Sequence, residues 1–161
     1  MSLNIRLISV GKIREKHFRN GMDEYLKRIR PYMPISLVEG LEVKTSPRAR
    51  QSELEEARRK EGERILALLK GDEILVAFDS RGQRLTSEEL AALVACLVQS
   101  GKARLNLVVG GSTGLSGLVT QQADHIISLS PLTFPHQMAV LIVAEQLYRA
   151  FTILKSHPYH K

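Results

Sequence analysis

The chain contains no tryptophan and a single cysteine, Cys96. One cysteine excludes an internal disulfide and any zinc centre built on thiolates. Cys96 stands beside Leu93 and Leu97 in an apolar helical stretch, so a small buried hydrophobe is expected there rather than a nucleophile. The five histidines lack carboxylate companions at ligand spacing, and no metal is expected. No apolar run approaches the length that spans a bilayer, and the N-terminus lacks the layout of a signal peptide. A cytoplasmic protein without a membrane segment is the expectation.

Several catalytic signatures are also missing. The turn Gly110-Gly111-Ser112-Thr113-Gly114-Leu115 has no lysine to serve as a P-loop, and its glycines do not fit the spacing of a dinucleotide fingerprint. Ser112, Ser116 and Ser130 have no nucleophile elbow around them, which argues against serine hydrolysis.

What is present is a 161-residue chain with 43% hydrophobic and 25% charged residues, enough for one packed domain over 1–161. Its net charge of +6 is unevenly spread. Residues 1–70 hold 16 Lys and Arg against 10 Asp and Glu, whereas residues 71–161 hold 7 against 7. A one-sided basic balance fits a polyanionic partner such as RNA, the alternative being a solvated basic surface.

Strand and helix patterns alternate along the chain. Strands are expected at Leu3 to Val10, Ile35 to Glu39, Glu73 to Asp79, Leu105 to Val109 and His125 to Leu129. Helices are expected at about Glu15 to Arg30, Ser52 to Lys70, from the capping box Thr86–Glu89 to Ser100, Gly117 to Ala123, and His136 to Leu154. Glu42 to Arg50, with Lys44, Arg48 and Arg50, reads as a mobile basic loop, and Ser80 to Arg84 as a turn. Glu55–Arg59 and Glu56–Lys60 have the spacing of helical ion pairs. The alternation predicts an α/β fold, a mainly parallel sheet with helices on both faces.

Two irregular segments leave the C-terminal ends of predicted strands, the side on which open α/β sheets bind ligands. One is the glycine turn; the other is Leu129-Ser130-Pro131-Leu132-Thr133-Phe134-Pro135-His136, held out of helix and sheet by its two prolines. A site of backbone from two loops beside a basic face suits a cofactor that needs positioning more than acid–base help. S-adenosylmethionine is such a cofactor, because its sulfonium already activates the methyl group.

These segments carry a family resemblance. Val10-Gly11-Lys12, Glu24-Tyr25 with Arg28, and Lys60-Glu61-Gly62 belong to it. Its specific parts are the glycine turn, Leu132-Thr133-Phe134-Pro135-His136, Glu145-Gln146-Leu147-Tyr148-Arg149-Ala150 and His157-Pro158-Tyr159-His160. Over essentially its whole length the chain resembles the RlmH family of small SPOUT-class methyltransferases, which methylate N3 of a pseudouridine in the large-subunit (23S) ribosomal RNA of bacteria. The resemblance implies a C-terminal trefoil knot, a homodimer with each pocket near the partner subunit, and the assembled ribosome as substrate. It also implies S-adenosylmethionine contacts at Phe78, Gly110, Gly114, Leu129, Ser130, Pro131, Leu132, Thr133 and Phe134. For the methyl acceptor the candidates are His157, Tyr159 and Arg149, with His157 a hypothetical proton acceptor; the bland reading of Arg149 is an i,i+4 pair with Glu145. The rival function is a catalytically inert RNA- or ribosome-binding factor on the same fold.

Overall fold

The computed structural model describes residues 3–161. Five strands form one sheet: β1 (Asn4–Ser9), β2 (Ile35–Glu39), β3 (Ile74–Arg84), β4 (Arg104–Val109) and β5 (His125–Ser128). Their spatial order is β2-β1-β4-β3-β5, and every neighbouring pair is parallel. Parallel strands need crossovers, supplied here by α1 (Lys16–Ile29), α2 (Gln51–Leu68), α3 (Ser87–Val98) and α4 (Gly117–Gln122), while α5 (His136–Leu154) follows β5.

Two cores flank the sheet. On one face Met22, Leu26 and Ile29 of α1, Ala91, Val94 and Leu97 of α3, and Val140, Val143 and Leu147 of α5 pack on Ile5, Leu7, Val76 and Leu107. On the other, Ile65 of α2 and Val119 of α4 cover Ile8, Leu75, Ala77 and Val108. Strands buried on both sides read as continuous apolar runs, as β3 and β4 do.

Four details differ from expectation. Cys96 is exposed, because the buried stripe of α3 runs through Ala91, Val94 and Leu97, and a residue between the last two turns to solvent. Arg59 pairs with Glu56 at 2.6 Å and with Glu63, not with Glu55, since one guanidinium bridges the carboxylates a turn before and a turn after it. The segment read as a turn after Asp79 is the far arm of β3: its register shifts between Phe78 and Gln83, and Gln83 and Arg84 pair with Ile127 and Ser128. Gly82 makes this possible, for a Cβ there would stand 2.7 Å from the carbonyl carbon of Ile126. Finally, α5 is long and apolar enough by length and composition to cross a membrane, but one side of it, Val140, Val143, Ala144, Leu147, Ala150 and Phe151, is buried in the core, while Met138 and Leu154 stay exposed.

Caps occur where the residues call for them. Thr86 Oγ1 accepts from Glu89 N at 3.1 Å and Glu89 Oε2 from Thr86 N at 2.7 Å. At the start of α1, Gln137 Oε1 accepts from the amides of Arg14 (2.9 Å) and Glu15 (3.0 Å), tying that turn to α5.

Candidate functional site

The C-terminal ends of β3, β4 and β5 open into a cavity of about 480 Å³, within the usual range for small-molecule sites. Its walls come from Phe78, Asp79 and Ser80 where the register of β3 shifts, from the glycine turn after β4, and from the segment between β5 and α5. Both loops have defined local chemistry. The glycine turn closes on itself, with Gly114 N donating to Gly111 O at 3.1 Å and Gly114 at φ +82°, where a side chain would be strained. Ser112 Oγ donates to Glu42 Oε1 at 3.1 Å, anchoring the turn to the segment after β2. In the second loop Ser130 Oγ accepts from Leu132 N at 3.0 Å and Ser130 O from Ser128 Oγ at 3.2 Å, a short polar turn ahead of the proline that starts α5.

The electrostatics of the lining are selective. Asp79 is its one carboxylate among the described residues, and no lysine or arginine lines it. Arg81 donates to Asp79 Oδ1 at 3.0 Å and Oδ2 at 3.1 Å, and these bonds hold the Asp79 carboxyl below the usual carboxylate range. With Asp79 paired to Arg81 and no lysine or arginine in the lining, the cavity offers little to a phosphate-rich ligand. His136 also lines it, and its Nε2 is buried without a hydrogen-bond partner among the described residues. The imidazole lies over Gly11, where a Cβ would stand 2.5 Å from Nε2.

A second cluster lies at the other end of α5. Arg149 donates to Glu145 Oε1 through Nε at 3.0 Å and Nη2 at 2.5 Å, and its guanidinium sits 4.8 Å from the centroid of the Tyr159 ring. Tyr159 donates to the same carboxylate oxygen at 3.0 Å. Burial, with Tyr25 and Glu145 alongside, pushes the Tyr159 hydroxyl far above its ordinary range, so it remains a protonated donor. His157 Nδ1 is 2.6 Å from Tyr32 Oη, and His160 bridges Arg149 at 3.2 Å and Glu88 at 2.7 Å. The C-terminal tail is thus fastened down residue by residue.

The structure gathers Phe78, Gly110, Gly114, Leu129, Ser130, Leu132, Thr133 and Phe134 around one cavity; Pro131 is exposed and outside the lining. His157, Tyr159 and Arg149 share the tail cluster. The two groups lie at opposite ends of a helix roughly 27 Å long at 1.5 Å per residue. His136, the last residue of the expected loop, lines the cavity too, whereas Asp79 in the lining and Glu42 against the glycine turn were not expected. Asp79 was accessible to sequence reasoning, as the last residue of an apolar strand beside Phe78; the approach of Glu42 to the glycine turn had no sequence signal.

A family model described as "Predicted SPOUT methyltransferase" matches residues 3–160. A protein of Syntrophomonas wolfei named "Ribosomal RNA large subunit methyltransferase H" is 50% identical over 159 residues, spanning 99% of this chain and 100% of that protein. A protein of the same name from Lysinibacillus sphaericus is 42% identical over the same shares. Among solved structures, "a probable methylase family protein from Haemophilus influenzae Rd KW20" shares the fold with a TM-score of 0.54 at 14% identity, covering 100% of this chain and 72% of that one.

Proposed function

The chain belongs to the SPOUT methyltransferase family, and from that premise we propose that it methylates N3 of a pseudouridine in large-subunit ribosomal RNA, with S-adenosylmethionine as donor. The protein is a methyltransferase of that family; the names of its full-length relatives support large-subunit ribosomal RNA as the substrate, and the reading places the reaction in the cytoplasm on the assembled ribosome. One observation carries the choice of cofactor: a cavity built from two loops, with a single carboxylate and no lysine or arginine in its lining.

When bound, S-adenosylmethionine supplies a methyl group already activated on a sulfonium. The chain therefore has to orient, desolvate and accept a proton. Phe78, Leu129, Leu132 and Phe134 would supply apolar contact to the adenine, and backbone from Gly110 to Gly114 and of Ser130, Leu132 and Thr133 would hydrogen-bond the cofactor, leaving Pro131 to shape the turn. Asp79, kept ionised by its pair with Arg81, would be the one carboxylate in the lining available to the cofactor's charged end.

The acceptor nitrogen must lose its proton as the methyl arrives. His157 is the acceptor of that proton in this reading: with Nδ1–H donating to Tyr32 Oη, the Nε2 lone pair is available. Arg149 and Tyr159 then hold the tail on α5. Because α5 keeps the tail of one protomer away from its own cavity, the reading includes a homodimer in which the partner's tail completes the site, and the trefoil threading common to the family. No metal takes part in it.

Calorimetry tests the cofactor, and mass spectrometry of ribosomal RNA from cells with and without the gene tests the product. Saturable heat with S-adenosylmethionine or S-adenosylhomocysteine, and a methylated pseudouridine that vanishes with the gene, are expected. A protein that binds neither compound would instead be an inert RNA-binding factor.

A further inference from the structure

All four tyrosines of the chain, Tyr25, Tyr32, Tyr148 and Tyr159, converge on one patch. Tyr148 is the hub, with its centroid 6.0 Å from Tyr25, 6.3 Å from Tyr32 and 4.7 Å from Tyr159. Such convergence from α1, α5 and the tail is more than the core needs, since Tyr25, Tyr32 and Tyr148 remain half-buried at the surface. Beside them opens a concavity of about 450 Å³ lined by Arg28, Pro31, Tyr32, Tyr148, Lys155 and His157. Among the described residues no carboxylate lines it.

The walls are ordered by contacts behind them. Tyr32 stacks on Phe151 with centroids 5.5 Å apart and planes 8° from parallel. The Arg28 guanidinium lies 5.5 Å from the Tyr25 centroid and 5.7 Å from that of Tyr148, and only its Nε is engaged, by Glu24 at 2.8 Å, among the described residues. Lys155, at the end of α5, adds a second exposed cation on the rim.

Aromatic surfaces interleaved with cations are the chemistry that holds single-stranded nucleic acid, with bases on the rings and phosphates on the charges. We propose that this concavity is an RNA subsite that binds an unpaired nucleotide flanking the one to be methylated, its base against Tyr32 and Tyr148 and its phosphate on Arg28 and Lys155. The inference rests on the RNA reading above and adds to it a subsite away from the same chain's cofactor cavity, adjoining the His157 that the reading assigns to the acceptor nucleotide. The basic excess of residues 1–70 then has a second outlet besides the loop before α2, because Arg28 belongs to it.

The test uses the full-length protein and a fluorescent hexauridylate carrying one 4-thiouridine. Photo-cross-links are expected at Tyr32, Tyr148 or His157, with affinity falling roughly tenfold or more in the double variant Arg28→Glu/Lys155→Glu. Both positions are exposed, so the fold is expected to survive, and unchanged affinity for S-adenosylhomocysteine checks that; Tyr148→Leu removes the ring while keeping an apolar contact and is expected to weaken the RNA as well. Unchanged RNA affinity in the double variant, cross-links confined to residues 42–50, or no binding by the parent protein would overturn the subsite. The gene-dependent ribosomal methylation described above stands or falls separately, so the two failures are distinguishable.

Discussion

At Asn106 the sheet buries an amide completely and satisfies it from several sides. Nδ2 donates to Ile74 O at 3.1 Å and to Glu73 Oε2 at 3.0 Å, and Oδ1 accepts from Arg6 at 3.3 Å. Removing the amide strands a buried carbonyl, so Asn106→Ala should cost about 1–3 kcal/mol in urea unfolding. The cluster closes the N-terminal ends of the strands, opposite the cavity, and cofactor affinity in the folded variant should not change. Inside the cavity the informative residue is Thr133, exposed on the loop before α5. Thr133→Trp should fill the space and lower S-adenosylhomocysteine affinity by roughly tenfold or more in calorimetry, without altering the melting temperature. Gly110 is a poor site for such a probe, because a Cβ there would meet Gly114 C at 2.9 Å and the turn itself would shift.

Among the elements, α2 carries an ionisable group where a helix facing solvent would not. Glu61 is 4% exposed under the segment after β2, and burial pushes its carboxyl above the ordinary range despite the Val43 amide and the nearby Arg64 and Arg58. The folded protein therefore retains a proton that the unfolded chain has lost. Stability falls as pH rises from the ordinary carboxylate value through the raised folded one, and that loss persists at neutrality. Glu61→Gln should accordingly be more stable than the parent at pH 7, with the difference closing towards about pH 4 in paired urea titrations. The loop that Glu61 supports carries Arg48 and Arg50, and its first residues are tied back by Arg64, which donates to Leu41 O at 3.0 Å. Reversing both charges should weaken RNA or ribosome binding, measured by filter retention at fixed salt, and leave cofactor affinity intact. Equal loss of both would contradict a docking role.

For the molecule as a whole, the separation of cavity and tail by the length of α5 makes assembly testable. In the homodimer reading, a subunit disabled by Thr133→Trp and one disabled by His157→Ala should each be inactive alone. Mixed and allowed to exchange, they should recover roughly a quarter of parental activity, since random pairing leaves one intact site in half of the dimers. Absence of recovery in subunits shown to exchange would mean that each chain completes its own site.

Much of this protein was legible without coordinates. Alternation of apolar strands and amphipathic helices predicted a parallel α/β sheet, because a strand covered on both faces must be apolar throughout, while a helix covered on one side need be apolar only along a stripe. The two loops of the cavity could be picked out because glycine and proline leave their mark on backbone geometry wherever they occur. What the sequence could not settle depends on encounters between distant segments. The far arm of β3 looked like a turn, since only the approach of Gly82 to the backbone of β5 turns those polar residues into strand. The Arg149–Glu145 pair followed from helical spacing, but the gathering of the tyrosines, the arrival of Tyr159 on the same Glu145 oxygen and the exposure of Cys96 were decided by packing. Local preference is written in neighbouring residues, but which side chains share a pocket follows from how the helices lie across the sheet, and that is a property of the packed chain.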